Sequence, residues 1–287
     1  MINTNTKTIR NNIFLNENYS LIHSGTNPRS NVLVITFQGA HPSTNPINED
    51  YAEGLGWGEL FLLKMGFDVL SVNHRIYKFY QDFSLEDFFS AAESVILNYK
   101  KVYSYGASGG GYAALYYSIP FGIIPIVFSP RIGIDPVCDI SYGYKVPDFS
   151  HEYLSNLRSS SLCYVFYDPQ LVSDHSYVNE RIAPCYEKSI IKAIKFSGHG
   201  APFYAEINLV RFIFENVVAG VDPKINRSYI KKSYDRIYRM AKFLIKKNKT
   251  SSAIKVINYA LSINNSTRSN YNKEDMKKLL SDIGVDC

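Results

Sequence analysis

The chain has 287 residues, 46% of them hydrophobic and 20% charged, a composition that excludes disordered, collagenous and fibrous proteins and supports a buried core. No stretch reaches the roughly 18 apolar residues of a membrane span, and the polar start MINTNTKTIRNN lacks the apolar centre of a secretion signal, so the expected location is cytoplasmic. The net charge of +5 is unevenly held: residues 223–287 carry 15 Lys/Arg against 5 Asp/Glu, which makes an acidic body with a basic tail.

In chain order, residues 13–23 read as an opening antiparallel hairpin around an Asn-Glu-Asn turn. Residues 31–37 (NVLVITF) form a continuous apolar, β-branched run, the pattern of a strand buried on both faces. A short helix is expected at 58–65, a buried strand at 67–72, and a helix at 84–97 capped by Ser84 with Glu86 and Asp87 in its first turn. A strand at 102–105, a helix at 111–118 and a strand at 123–128 follow, then an irregular insertion at 131–157 that is a candidate lid. Residues 162–167 and 191–196 are read as the last two strands and 205–217 as the closing helix. This alternation predicts an α/β fold with a mainly parallel central sheet and working residues at the carboxyl ends of its strands.

Past residue 222 the texture becomes helical only, so residues 1–222 are assigned as a catalytic domain and 223–287 as a basic helical extension. Ile230, Tyr234, Ile237, Tyr238, Ala241, Leu244 and Ile245 share one helical face with Lys and Arg opposite, and Ile254, Ile257, Ala260 and Leu261 repeat the pattern. Together they predict a helical hairpin. Cys138, Cys163, Cys185 and Cys287 lie far apart without CxxC or Cys/His spacing, so free thiols are expected and neither a disulfide framework nor a zinc site.

The residues that carry chemistry begin at Gly106-x-Ser108-x-Gly110, placed between a predicted strand and a predicted helix. This is the nucleophile-elbow spacing: the turn is so tight that the positions two before and two after the serine must lack bulk. A Gly-rich turn serving only chain reversal or phosphate binding fits the motif alone, but no Lys-Ser/Thr follows as in a P-loop, and no acidic partner as in a dinucleotide fold. Further on, an acid and then a histidine follow in the order such a serine needs. His199, in the small-residue loop 196–200 (FSGHG), is the expected general base. In YDPQLVSDH, Asp174 is the preferred acid, and Asp168, which precedes Pro169, is the alternative and a turn residue in its own right. Backbone N–H groups for an oxyanion come from Gly109 and from Gly39 and Ala40 after the first buried strand. His41 is read as a solvated loop histidine, and His23, His74, His151 and His175 as surface or satisfied ones.

With strand, GASGG elbow, late acidic loop and SGHG assembled, the chain resembles the α/β-hydrolase superfamily over residues 13–218. The resemblance implies an α/β-hydrolase fold with a C-terminal helical hairpin added, Ser108 as nucleophile, His199 as base, and Asp174 or Asp168 as acid. It implies a serine esterase or O-acyltransferase working through an acyl-enzyme, with no resident cofactor and with acetyl-CoA as acyl donor in the transferase case. The sequence departs from common esterases in QGA where a His-Gly pair is usual, and it lacks a Gly-x-x-Asp acid loop. It is similar to the O-acetyltransferases and acyl esterases of bacterial surface-glycan synthesis, which makes a small ester or glycan the expected substrate. Trp57, Tyr77, Tyr80 and the tyrosines at 142–144 are candidates to line an acceptor site. A non-catalytic hydrolase-like scaffold is the reading from another class, its basic tail docking on an acidic protein or an anionic membrane; the intact triad argues against it. The plainer role for the tail is a hairpin packed on the body with solvated lysines outward. No nucleic-acid partner is expected, since charge is present without a module pattern.

Overall fold

The computed structural model describes residues 9–25, 29–40, 47–138, 140, 147–200, 207–225, 234–262 and 271–285. They fall into two compact units, residues 1–166 with 172–192 and residues 167–171 with 193–287.

The first unit is built on eight strands: β1 (Ile9–Leu15), β2 (Tyr19–Gly25), β3 (Val32–Phe37), β4 (Asp68–His74), β5 (Lys101–Ala107), β6 (Ile124–Phe128), β7 (Ser159–Tyr167) and β8 (Tyr186–Ala193). Their spatial order is β1-β2-β4-β3-β5-β6-β7-β8. The opening hairpin β1–β2 joins β4 antiparallel, while β4, β3, β5, β6 and β7 run parallel. Every residue of β3 and β4 is buried. That is why these segments read as unbroken apolar or small-polar runs: each face is covered, and burial of one such Val, Ile or Leu contributes ~1.5–3 kcal/mol.

Helices α1 (Glu59–Lys64), α2 (Leu85–Ile96) and α3 (Gly109–Ser118) connect the strands. Ser84 caps α2, its Oγ accepting the Asp87 N–H at 3.0 Å. Ten consecutive buried residues make up α3, so this helix has no polar face and owes its place to packing on all sides. In the insertion, Ile132, Cys138 and Leu154 are buried, and Arg181 clamps Asp135 with two bonds of 2.8 and 3.0 Å. Residues 141–146 of the insertion, with the tyrosines of 142–144, lie outside the described residues, as does His41.

Two features of the chain differ from the sequence reading. The last strand is β8, ending at Ala193, because residues 194–198 turn: Phe196 has φ 67° and Gly198 φ 62°. The acidic stretch YDPQLVSDH, read as loop, runs into helix: α4 (Val172–Tyr177) continues through a wide turn at Val178–Ile182 to Cys185. Cys138, Cys163 and Cys185 are buried free thiols, and burial pushes Cys138 up to about 12 and Cys185 up to about 11.

The second unit contains α5 (Ile207–Val218), α6 (Tyr234–Lys246), α7 (Thr250–Ser262) and α8 (Lys273–Asp282). The pair α6–α7 is the predicted hairpin, and α8 joins it. Tyr234, Ile237 and Ala241 of α6, Ile257 and Ala260 of α7, and Met276, Leu279 and Leu280 of α8 form one buried cluster. Helix α8 begins with a capping box: the Asn272 side chain accepts from Glu274 N and Asp275 N, and Asp275 reaches back to Asn272 N. Ile230, included in the predicted stripe, lies outside the described residues. No described helix is long and apolar enough to cross a membrane.

Candidate active site

Strand β5 stops at Ala107 and α3 starts at Gly109, so the whole change of direction falls on Ser108. Its backbone takes φ 54° and ψ −127°, a region that costs a side-chain-bearing residue on the order of 1–3 kcal/mol and persists only where the surroundings enforce it. Three backbone hydrogen bonds enforce it here. Ser108 N–H donates to Phe128 O at 3.1 Å, and Ser108 O accepts from Tyr112 N–H at 3.0 Å and Arg131 N–H at 3.2 Å. A Cβ on Gly106 would collide with Gly110 O, and one on Gly110 with Phe37 O. The two glycines of the motif are therefore demanded by backbone meeting backbone.

The register Phe37↔Gly106 brings the end of β3 beside the end of β5, so the loop at 38–40 leaves the sheet next to the elbow. A Cβ on Gly39 would stand 3.1 Å from Ala107 O. Two side chains fix the loop's peptide planes. Tyr80 Oη donates to Gln38 O at 2.6 Å and His74 Nε2 donates to Gly39 O at 3.1 Å. In a trans peptide N–H and C=O point opposite ways, so pinning these carbonyls sets the directions of the Gly39 and Ala40 N–H groups. The bond to a carbonyl also requires the proton of His74 on Nε2. Burial pushes the Tyr80 hydroxyl well above its ordinary pKa, so it remains a donor. Phe79 and Tyr80 both have positive φ, 56° and 63°, and both are buried. The strain of that turn accompanies the placement of the Tyr80 hydroxyl under Gln38. Tyr77, from the same turn, sets its hydroxyl against Gly109, where an added Cβ would strike it.

Asp174 lies in the first turn of α4 and is fully buried. Its Oδ1 accepts from Arg131 Nη1 at 2.8 Å, and the same nitrogen donates to Ser173 Oγ. Arg131 thus touches Ser108 with its backbone and Asp174 with its side chain.

Asp168 and His199 belong to the second unit. Asp168 is 2% exposed, its Oδ2 accepting Gly198 N–H at 2.8 Å and its Oδ1 accepting Gln170 N–H at 3.1 Å. His199 sits half-buried in the helical turn Gly198–Gly200, one residue beyond the Asp168 contact. Further bonds hold that loop: Ser197 Oγ donates to Ile194 O at 2.7 Å and Arg236 Nε to Lys195 O at 3.2 Å, while Phe196 and Phe243 rings meet edge to face at 5.6 Å.

The other described histidines have structural partners. His23 Nε2 is 2.7 Å from Tyr99 Oη, which donates to Asp68 at 2.8 Å; His151 stacks on Tyr116 and bonds Tyr112; His175 bonds Asn179. Trp57 packs on Tyr105 with ring centres 4.5 Å apart. Sequence reasoning missed Arg131 and the anchoring roles of His74 and Tyr80. Their partners lie 35 to 43 positions away in the chain, and no local pattern marks them.

No protein-family model matches the sequence, and no curated protein gives a significant match. Solved structures do match in shape. A dienelactone hydrolase from Anabaena variabilis is 11% identical over 75% of this chain and 98% of its own, with a TM-score of 0.50. Est1E from Butyrivibrio proteoclasticus is 12% identical over 73% and 99%, at 0.46, and the Pyrococcus furiosus esterase Pf2001 is 18% identical over 73% and 93%, at 0.49. At such identities what is shared is the fold.

Proposed function

We propose that this chain, an α/β-hydrolase by fold, is a serine esterase or O-acyltransferase with Ser108 as its nucleophile. The observation that carries the reading is the strained backbone of Ser108 at the β5–α3 turn, beside a loop whose N–H groups are held by two buried donors. Strain of this kind needs a compensating use, and holding a hydroxyl out of the turn is that use.

In the proposed reaction His199 takes the proton from Ser108 Oγ as that oxygen bonds to the ester carbonyl carbon. The oxyanion that forms receives the N–H groups of Gly109, Gly39 and Ala40. Collapse breaks the bond to the alcohol, which leaves with the proton from His199, and Ser108 keeps the acyl group. Water, or a sugar hydroxyl, then attacks by the reverse sequence and restores the free serine. Asp174 is the acid that orients the imidazole and stabilises its cation. Asp168, whose oxygens accept the Gln170 and Gly198 N–H groups, holds the His199 turn in place and is the alternative acid. The substrate class is a small ester or an acylated glycan, with acetyl-CoA as donor if the acceptor is a sugar.

Labelling with a serine-directed fluorophosphonate tests the reading. The wild type should label and hydrolyse a small ester, and a folded Ser108→Ala chain should do neither, with a rate loss on the order of 10⁴. Undiminished labelling of Ser108→Ala sinks the nucleophile assignment. Product analysis with acetyl-CoA and glycan acceptors separates transfer from hydrolysis.

A further inference from the structure

The second unit holds a cavity of about 450 Å³ beside the His199 turn, in which the proposed acyl chemistry places no reacting group. Helix α6 forms one wall with Arg239, Lys242 and Lys246, spaced three and four residues apart so that they share a face, and Lys247 follows at its end. Gln170, Leu171 and Gly198 also line the cavity. None of these four cations pairs with a carboxylate among the described residues. Asp168 is the single acid in the lining, and both its oxygens accept backbone N–H groups.

Arg239 gives the cavity its chemistry. Its Nε is buried with no hydrogen-bond partner, a state that leaves a charged donor's desolvation uncompensated. The guanidinium is pressed onto Gly198, where an added Cβ would lie 2.6 Å from Cζ, so the side chain is wedged in place. Aromatic surface stands beside the charge: Tyr238 and Tyr271 stack at 3.8 Å, and Phe243 lines the same space. A wedged guanidinium, three lysine ammonium groups and aromatic walls suit a phosphate attached to an apolar or planar body. The volume fits one molecule of nucleotide size.

We propose that this cavity binds a small phosphorylated molecule of nucleotide size, its phosphate on Arg239 and the α6 lysines. Concavity separates this from attachment to a flat anionic surface, which would engage the exposed lysines alone.

Calorimetric titration of the full chain with ADP, with inorganic phosphate and with adenosine tests it, beside flotation with phosphatidylglycerol/phosphatidylcholine vesicles. ADP should bind one to one, more tightly than phosphate, with an affinity that falls as salt rises, and adenosine should bind at least about tenfold more weakly. Arg239→Met should weaken ADP by about tenfold or more, and Lys242→Glu with Lys246→Glu, both at exposed positions, should do so without any call on the fold. Absence of ADP and phosphate binding at millimolar concentration overturns the proposal. So do equal affinities for ADP and adenosine, ADP binding unaffected by the lysine substitutions, or vesicle binding with no binding of free ADP or phosphate.

Discussion

Arg131 Nη1 stands 2.8 Å from Asp174 Oδ1, and the same residue's N–H donates to Ser108 O. The proposed acid is therefore coupled to the proposed nucleophile's turn by one residue. Asp174→Asn should cut ester hydrolysis by several orders of magnitude, because an amide cannot stabilise an imidazolium as a carboxylate does. Asp168→Asn should instead act on stability, costing about 1–3 kcal/mol by placing an NH₂ where a buried acceptor meets a backbone N–H. Rates and melting curves of the two variants decide it, and the reverse ranking moves the acid's role to Asp168.

Tyr80→Phe removes the donor to Gln38 O while leaving the ring in its packing. The freed peptide loses its set direction, and with it the Gly39 N–H. The expected result is a fall in kcat of about 10- to 100-fold with little change in KM, since an oxyanion donor acts on the transition state. A variant with KM raised and kcat intact would show that the loop serves substrate binding instead.

Acid should weaken the first unit through His151. Burial lowers this histidine to about 4, so the folded protein keeps it neutral while the unfolded chain takes up a proton below about pH 6.5. Stability from this group is fully present above pH 6.5 and is lost as pH falls towards 4, by about 2–3 kcal/mol. Denaturant melts of wild type and His151→Gln across that window check it. The variant's stability should depend less steeply on pH there.

A chain ending at Val221 should lose ester hydrolysis by at least about tenfold. It lacks Phe243, Arg236 and Arg239, which pack on residues 195–198 beside the proposed base, and a misplaced base costs rate steeply. An ester assay on the truncated chain that returns the full rate would free the tail from this supporting part.

The elbow was legible because its constraint is local: backbone meets backbone at Gly106 and Gly110, so the glycines must appear at fixed spacing. The loop at 38–40 was legible for the same reason, as small residues after a buried strand. Its anchors were not, since a histidine ending β4 and a tyrosine in the next turn acquire meaning only through contacts 35 and 42 positions away. The last strand was placed too late because IKAIKF alternates as well as YEKSIIKA does, and the positive φ at Phe196 leaves no trace in its side chain. Helix α8 was overlooked although Asn272 and Asp275 stand at capping-box spacing; its charged length, KEDMKKLLSD, hides the three apolar residues that seat it. Asp174 looked like a loop acid because nothing near it announces Arg131.

The division of the chain carries a consequence for its birth. The second unit takes residues 167–171 from the middle of the sequence and the rest from residue 193 onward. On the ribosome, Asp168 emerges long before the Gly198 N–H that it will hold, and longer still before α6 exists to lie against that turn. The sheet strands up to β7 can assemble while translation continues, but the segment bearing the proposed base cannot settle until α6 has been made. A premature stop before α6 would therefore yield a chain with a formed elbow and an unfinished histidine loop.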